Sequence, residues 1–132
     1  SKTAVNSGVK DLARFHNAGY KGLYNGETAD DIFKRKKLRY REDILDNMGS
    51  DELIANLFRI SQTEQKLKRD KTDNEPEACA THYVVGKQVR KAIEENGTIK
   101  EHMSFPTFKY TEIVKEKWET STLREKFNIC FN

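Results

Sequence analysis

The strongest constraint on the fold is a helical repeat of apolar residues that begins near the middle of the chain. At 100° per residue, this repeat places four side chains on one stripe of an α-helix: Leu53, Leu57, Ile60 and Leu67. Ser50 is a typical N-cap, and the two acidic residues after it suit the helix dipole. We therefore predict a central helix over 50–70, solvated from about Gln62 onward. Ile54 and Phe58 form a second apolar edge, which predicts contact with more than one neighbouring helix.

A second long helix is predicted over 74–96. Asn74 caps it, Pro76 lies in its first turn, and Gly97 stops it. Its apolar stripe comprises Ala78, His82, Val85, Val89 and Ile93. Gly86 lies within this stripe, where glycine costs about 1 kcal/mol relative to alanine, so we expect a neighbouring helix to come close there. Mid-stripe residues of the two long helices are expected to be buried, namely Leu57, Val89 and a hydrogen-bonded His82.

Shorter helices are predicted on either side of this pair. The predicted segments are 9–18, stopped by Gly19; 29–37, capped by Thr28; 41–48; a unit that starts at Ser104; and an apolar C-terminal segment with Leu123, Phe127, Ile129 and Phe131. Residues 20–28 are predicted to form a loop, or at most a short hairpin, that turns at Asn25-Gly26. No alternating run predicts a strand. The expected fold is all-α: a single compact domain of residues 1–132, with about six helices around the central long one.

Several classes of protein are excluded or disfavoured by the sequence. No apolar run approaches the roughly 18 residues that cross a bilayer, and the start of the chain lacks the apolar core of a signal peptide. Cys79 and Cys130 are the only cysteines, which favours free thiols in a cytoplasmic protein. Cys79 and His82 share a helix face without the second pair that a structural zinc site needs. No nucleophile–base set or phosphate-binding loop occurs, so we expect no enzymatic activity, no metal and no cofactor.

A run of positive charge precedes the central helix. It contains Lys34, Arg35, Lys36, Lys37, Arg39 and Arg41, with Tyr40 interleaved. About three or four of the six cations are expected to contact phosphates of one strand at once, and Tyr40 can stack on a base, which makes the run the candidate nucleic-acid-binding site. The alternative is a solvated helix end whose cations pair with nearby acids. Under the DNA-binding interpretation, charge reversal at Lys36 and Lys37 flattens the dependence of binding on salt without unfolding the domain.

Four ordered blocks resemble the DNA-damage-inducible protein D family of bacteria, which also occurs among phage antirepressor-like proteins. The blocks are GYKGLYNG (19–26), DIFKRKKL (31–38), ILDNMGSDELIANLFRISQTEQKL (44–67) and THYVVGKQVRKAIEENG (81–97). The family usually continues with a double glycine and a proline-rich stretch, whereas this chain has Gly97 and Pro106. Residues 98–132 therefore lie outside the resemblance.

The resemblance implies a role in the bacterial response to DNA damage and a further domain, related to viral Bro proteins, ahead of this region. The chain, which begins without Met, would then be the C-terminal part of a longer protein. The family supplies no catalytic residues to carry over. We therefore expect a non-enzymatic regulatory module that binds a recombination or repressor protein, with direct DNA binding through 34–41 as the alternative.

Polar residues of the matched central block are the candidate partner-binding site. They are Asn56, Arg59, Gln62, Thr63 and Glu64. Two interpretations remain open for them at this point. Either they form a surface that faces a partner, or they form an internal polar network that joins the central helix to the His82 helix, since a buried Asn or Arg needs full hydrogen bonding.

Overall fold

The computed structural model describes residues 2–99, 104, 105 and 125. Within this part the chain forms five α-helices: α1 (Lys2–Asn6), α2 (Leu12–Leu23), α3 (Ala29–Arg35), α4 (Ser50–Arg69) and α5 (Glu75–Glu95), with a 3₁₀ helix at Leu45–Asn47. These residues contain no strand, so the predicted all-α class is confirmed. The two long helices, α4 and α5, lie where the apolar repeats predicted them.

Helices α2 and α5 meet backbone to backbone through glycine. A Cβ added to Gly86 of α5 would lie 2.8 Å from the carbonyl oxygen of Gly19 in α2, and one added to Gly22 would lie 2.3 Å from the carbonyl oxygen of Tyr83. The close approach predicted at Gly86 is therefore confirmed. The prediction that Gly19 ends the helix is wrong, because α2 continues to Leu23. Its glycines lie against α5, and that packing offsets their low helix propensity.

The turn after α2 is where the sequence predicted it. Asn25 and Gly26 both adopt positive φ angles, +53° and +98°, and the Gly26 N–H donates to the carbonyl oxygen of Lys21 at 2.8 Å. Only the second half of the predicted 20–28 loop is thus non-helical.

Helix α4 is buried along most of its length. Leu53 and Leu57 lie in the main core with residues of α5, and the predicted burial of Leu57 and Val89 is confirmed, each being 8% exposed. Leu67 lies in a second apolar cluster: Ala4, Val9, Phe15, Leu67 and Ala78. The predicted solvation from Gln62 onward is wrong at Thr63 and Leu67, because α1, which the sequence did not predict, packs against α4.

The second apolar edge of α4 is exposed among the described residues. Ile54 is 47% and Phe58 51% exposed. The predicted contact of this helix with more than one neighbour is confirmed, since α4 packs against α5, α1 and α2, but these two side chains stay about half exposed.

Local hydrogen bonds fix the ends of the helices. Thr28 and Asp31 form a reciprocal capping box at the start of α3, and the Asn74 side chain accepts from the Glu77 N–H at 2.9 Å at the start of α5. Three helices end in left-handed residues other than glycine: Asn25, Lys37 and Lys71. In each case the next residue closes the turn by donating back to the helix, as in a Schellman motif.

The predicted helix over 41–48 is wrong. Only the 3₁₀ turn at Leu45–Asn47 forms. Glu42 accepts from the Arg39 N–H at 2.8 Å, and Asp43 accepts from the Leu45 N–H at 2.9 Å. These side-chain contacts satisfy backbone groups locally and so compete with helix formation.

The predicted unit that starts at Ser104 and the apolar C-terminal segment lie outside the described residues, apart from isolated positions. One of these, Phe105, is buried in the main core, with its ring centroid 5.4 Å from that of Tyr24. Across the described residues, every helix is too short or too polar to cross a bilayer.

Candidate functional site

Arg59 of α4 is held inside the domain by polar groups of two helices. It is 2% exposed. Its Nε and Nη2 donate to Oδ1 of Asn56 at 3.1 and 2.9 Å, and its Nη1 lies 2.7 Å from Nε2 of His82 in α5. The guanidinium carbon lies 4.5 Å from the ring centroid of Tyr20 in α2. No carboxylate of the described residues forms an ion pair with Arg59, so neutral dipoles and an aromatic ring solvate its charge.

The partners of His82 determine its protonation state. Nδ1 lies 2.9 Å from the carbonyl oxygen of Phe15, and a carbonyl oxygen can only accept, so Nδ1 carries the proton. Nε2 then accepts from Arg59, which can only donate. Burial, followed by the charge of Arg59, lowers the pKa of His82 to about 3. His82 is therefore a neutral acceptor that joins α4, α5 and α2.

The network continues from Arg59 towards the start of α4. Asn56 donates to the Tyr24 hydroxyl at 3.0 Å and to the carbonyl oxygen of Glu52 at 2.9 Å. The Tyr24 hydroxyl donates to Oε2 of Glu52, whose Oε1 accepts from Nζ of Lys36 at 2.8 Å. Burial, followed by the nearby Glu52 charge, raises the pKa of Tyr24 well above its usual value. The Tyr24 phenol therefore stays protonated and keeps donating.

An open cleft of about 760 Å³ lies beside this network. Its lining residues are Ala13, His16, Asn17, Tyr20, Ala29, Asp30, Phe33, Glu42, Asp43, Ile44, Leu45, Arg59 and Ile60. Helices α2 and α3 and the segment 42–45 form its walls, and buried Arg59 lies at its floor. The volume is in the range of protein clefts that bind ligands or side chains.

Comparison with known proteins agrees with the blocks found in the sequence. The model of the DinD C-terminal domain family matches residues 1–113. The chain belongs to this family. It is 50% identical over 97 residues to DNA damage-inducible protein D of Escherichia coli strain K12, an alignment that covers 73% of the chain and 35% of that DinD protein. The chain thus spans about a third of the length of this relative. No solved structure matches it significantly.

The basic run of this DinD domain does not form one positive surface. Four of its cations are in ion pairs, three of them close: Lys34 with Asp30 at 2.8 Å, Arg35 with Glu27 at 2.9 Å and Lys36 with Glu52 at 2.8 Å. Lys36 lies inside the domain, its side chain 10% exposed, so the prediction that its charge can be reversed without unfolding is wrong. Arg39 lies 4.0 Å from Glu42.

The rest of the run is a small exposed group. Lys37 and Arg41 form no ion pair with any described residue, and Tyr40 between them is 86% exposed. The guanidinium carbon of Arg41 lies 5.5 Å from the Tyr40 ring centroid. Together with Lys34 and Arg39, whose side chains are 74% and 92% exposed in their ion pairs, this group is the part of the run that fits the nucleic-acid-binding interpretation.

The five polar candidates of α4 fall into a buried group and a half-buried group. Asn56, Arg59 and Thr63 are 0–2% exposed, so the prediction that they form an exposed partner-facing surface is wrong, and of the three only Arg59 reaches the lining of the cleft. They form the internal network that was the alternative interpretation, and Thr63 donates to the carbonyl oxygen of Arg59 at 2.7 Å. Gln62 and Glu64 are half-buried, and a partner-binding role for these two stays a prediction.

Sequence reasoning missed several members of the site. Glu52 was assigned only to the helix dipole, and Tyr20 and Tyr24 were placed in a loop. The sequence did contain a signal for Glu52. It lies one helical turn before Asn56 in the predicted central helix, so both side chains face the same neighbour. Which neighbour they face depends on where α2 runs. The glycines of α2 prevented its extent from being predicted from the sequence.

The described residues include no group of three histidine, cysteine or acidic side chains arranged to hold a metal ion.

Proposed function

We propose that this domain is a non-enzymatic protein-binding module of a DNA-damage response, and that it binds a recombination or repressor protein through the cleft beside Arg59. The link to DNA damage rests on the name of the Escherichia coli relative. The protein-binding role rests on the cleft itself. It is large enough for side chains of another protein, and a fixed hydrogen-bonded network supports its floor.

Rigidity of the cleft floor supports the proposal. Arg59 is bonded to Asn56 on its own helix and to His82 on α5, and His82 is bonded to the backbone of α2. A surface that is ordered before binding loses less entropy when a partner docks. The cleft is therefore suited to recognition without rearrangement of the helices.

The charge arrangement favours this role over direct DNA binding. Lys36 is buried in its pair with Glu52 and Arg35 is largely buried in its pair with Glu27, so two of the six cations of the basic run are unavailable to phosphates. The exposed group of Lys37, Tyr40 and Arg41 keeps DNA binding as the second candidate. Four exposed cations, Lys34, Lys37, Arg39 and Arg41, predict a log–log salt slope of about −4 at most.

Two binding measurements on the full chain separate these functions. The first measures the affinity for the purified recombinase and damage-response repressor of the source organism. The second measures the affinity for labelled single- and double-stranded DNA at low and physiological salt. We expect one of the two proteins to bind and DNA to bind only weakly.

Charge reversal provides the matched control. Lys37→Glu with Arg41→Glu should leave the protein complex unchanged and should abolish the weak DNA binding. Tight, strongly salt-dependent DNA binding that this pair of changes removes, with neither protein bound, would reject the protein-binding function.

A further inference from the structure

The floor of the cleft holds a cation, Arg59, that forms no ion pair with any described carboxylate. We infer that the cleft binds an aromatic side chain of the partner protein, with the ring packed between the apolar walls and against Arg59. This inference rests on the proposed function and specifies the chemistry of the side chain that enters.

The walls of the cleft offer apolar surface that the fold leaves half-buried. Phe33 of α3, Ile44, Leu45 and Ile60 of α4 all line it. A cavity of roughly 150 Å³ is enough to hold a benzene molecule, and the cleft measures about 760 Å³. The cleft therefore has both the room and the apolar surface for an inserted ring.

The acids of the cleft already have partners inside the domain. Those that line it are Asp30, Glu42 and Asp43. Asp30 forms an ion pair with Lys34, and the other two accept from backbone N–H groups at 2.8 and 2.9 Å. Burial lowers the pKa of His16, so its imidazole is neutral at pH 7. The rim therefore gives no reason to prefer a charged side chain of either sign.

Arg59 decides which uncharged side chain fits best. Its guanidinium is 2% exposed, lies against the Tyr20 ring and is otherwise bonded to the neutral side chains of Asn56 and His82. A positive charge in such a dry site repels a second cation. It attracts the negative face of an aromatic ring, as the contact with Tyr20 already shows. An aliphatic side chain of the same shape lacks that attraction.

An anion is the other kind of group that a guanidinium attracts. A carboxylate or phosphate would lose its hydration on entering the cleft, and Arg59 is the only cation among the described lining residues that could compensate the loss. The donors of Arg59 are already directed at Asn56 and His82. A neutral ring carries no such desolvation cost. The same argument disfavours a nucleobase, because its phosphate comes with it.

Three short synthetic peptides test the chemistry on the full chain. They have the same uncharged flanks and carry phenylalanine, cyclohexylalanine or pentafluorophenylalanine at the centre. The three side chains have similar shapes, but the negative ring face is present, absent and reversed, respectively. NMR titration, followed at residues of the cleft, gives the affinity of each peptide.

We expect the phenylalanine peptide to bind about tenfold more tightly than the cyclohexylalanine peptide, and the pentafluorophenylalanine peptide to bind most weakly. Burial of apolar surface alone predicts that cyclohexylalanine binds at least as tightly as phenylalanine. Equal affinities, a preference for cyclohexylalanine, or no binding at the cleft would each overturn the inference. Adenosine monophosphate that binds the cleft more tightly than the phenylalanine peptide would overturn it in favour of a nucleobase.

Two further measurements test the location. In the wild-type chain, the Nε–H resonance of Arg59 should shift with the phenylalanine peptide, because the ring current acts on it, and should not shift with cyclohexylalanine. Ala13→Trp fills the cleft from an exposed position of α2 and should abolish binding. Its matched control, Ala92→Trp, changes an exposed position of α5 outside the cleft and should leave binding unchanged.

The outcomes separate this inference from the proposed function. If a recombinase or repressor binds the wild-type chain and Ala13→Trp equally, the cleft assignment is wrong and the proposed function stands. If neither protein binds, the proposed function fails, and the peptides alone decide the chemistry of the cleft. Nuclear Overhauser contacts between cleft residues and residues 106–132 in the free chain would show that the chain itself fills the cleft and would overturn binding of a partner there.

Discussion

A Cβ on Gly19 would lie 2.3 Å from Nε2 of His82, and 2.6 Å from Nη1 of Arg59. The absence of a side chain at Gly19 is therefore what allows the imidazole and the guanidinium to meet between α2, α4 and α5.

The first prediction follows from this contact. We expect Gly19→Ala to lower the free energy of unfolding by about 1–3 kcal/mol, because the strain of overpacking outweighs the roughly 1 kcal/mol that alanine gains in helix propensity. Urea denaturation measures the change. Gly26→Ala is the control for backbone strain, since Gly26 has a φ of +98° and no atom near its missing Cβ. A Gly19→Ala protein at least as stable as the wild type would contradict the packing at Gly19.

The second prediction compares two lysines of the basic run. Lys36→Met should cost about 3–5 kcal/mol, because it leaves the Glu52 carboxylate buried without its cation. Lys34→Met removes an exposed pair with Asp30 and should cost less than about 1 kcal/mol. Thermal or chemical denaturation of the two variants measures the loss of unfolding free energy in each. Similar small losses for both would show that Glu52 is not buried as described.

The third prediction concerns acid stability. The pKa of His82 is about 3 in the folded domain, below its usual value of 6.5. Below pH 6.5 the His82 imidazole binds a proton in the unfolded chain but stays neutral in the folded domain. The contribution of His82 to stability is therefore complete above pH 6.5 and is lost at about 1.4 kcal/mol per pH unit as the pH falls towards 3.

Imidazole ¹⁵N chemical shifts measured by NMR provide the direct measurement for His82. The proton should stay on Nδ1, and the ring should stay neutral, down to about pH 4 if the domain remains folded. A titration midpoint near 6.5 would contradict the hydrogen bonds assigned to Phe15 and Arg59.

The fourth prediction uses the left-handed residue after α4. Lys71 has a φ of +50°, a conformation that glycine adopts without the penalty of a Cβ. Lys71→Gly should raise the free energy of unfolding by about 0.5–1 kcal/mol. Lys68→Gly, within the last turn of α4, should lower it by about 1 kcal/mol. The two changes remove the same charge type, so opposite signs isolate the backbone effect.

The sequence predicted the long helices because their apolar repeats and end signals agree. Asn74, Pro76 and Gly97 delimit α5 locally, without reference to any other element. The sequence-based prediction failed at Gly19, because a single sequence does not distinguish a glycine that ends a helix from a glycine that lies against another helix. Only the position of Gly86 on the facing helix distinguishes the two.

The candidate site was predictable only in part for the same reason. Asn56 and Arg59 could be singled out as polar residues that need partners, and the internal network was one of two interpretations. The cleft could not be foreseen, because its walls come from α2, α3 and the irregular segment 42–45, where local side-chain bonds override the helix that the apolar spacing favours.

The glycine contact between α2 and α5 also determines which motions the domain can make. Two helices that touch through their backbones cannot slide past each other by side-chain rotation, since no rotamers are available at the contact. The pair should therefore act mechanically as one rigid body, with the slowest amide hydrogen exchange in the domain. If the cleft opens or closes, the change must then come from α3 and the segment 42–45, which line it opposite that rigid body.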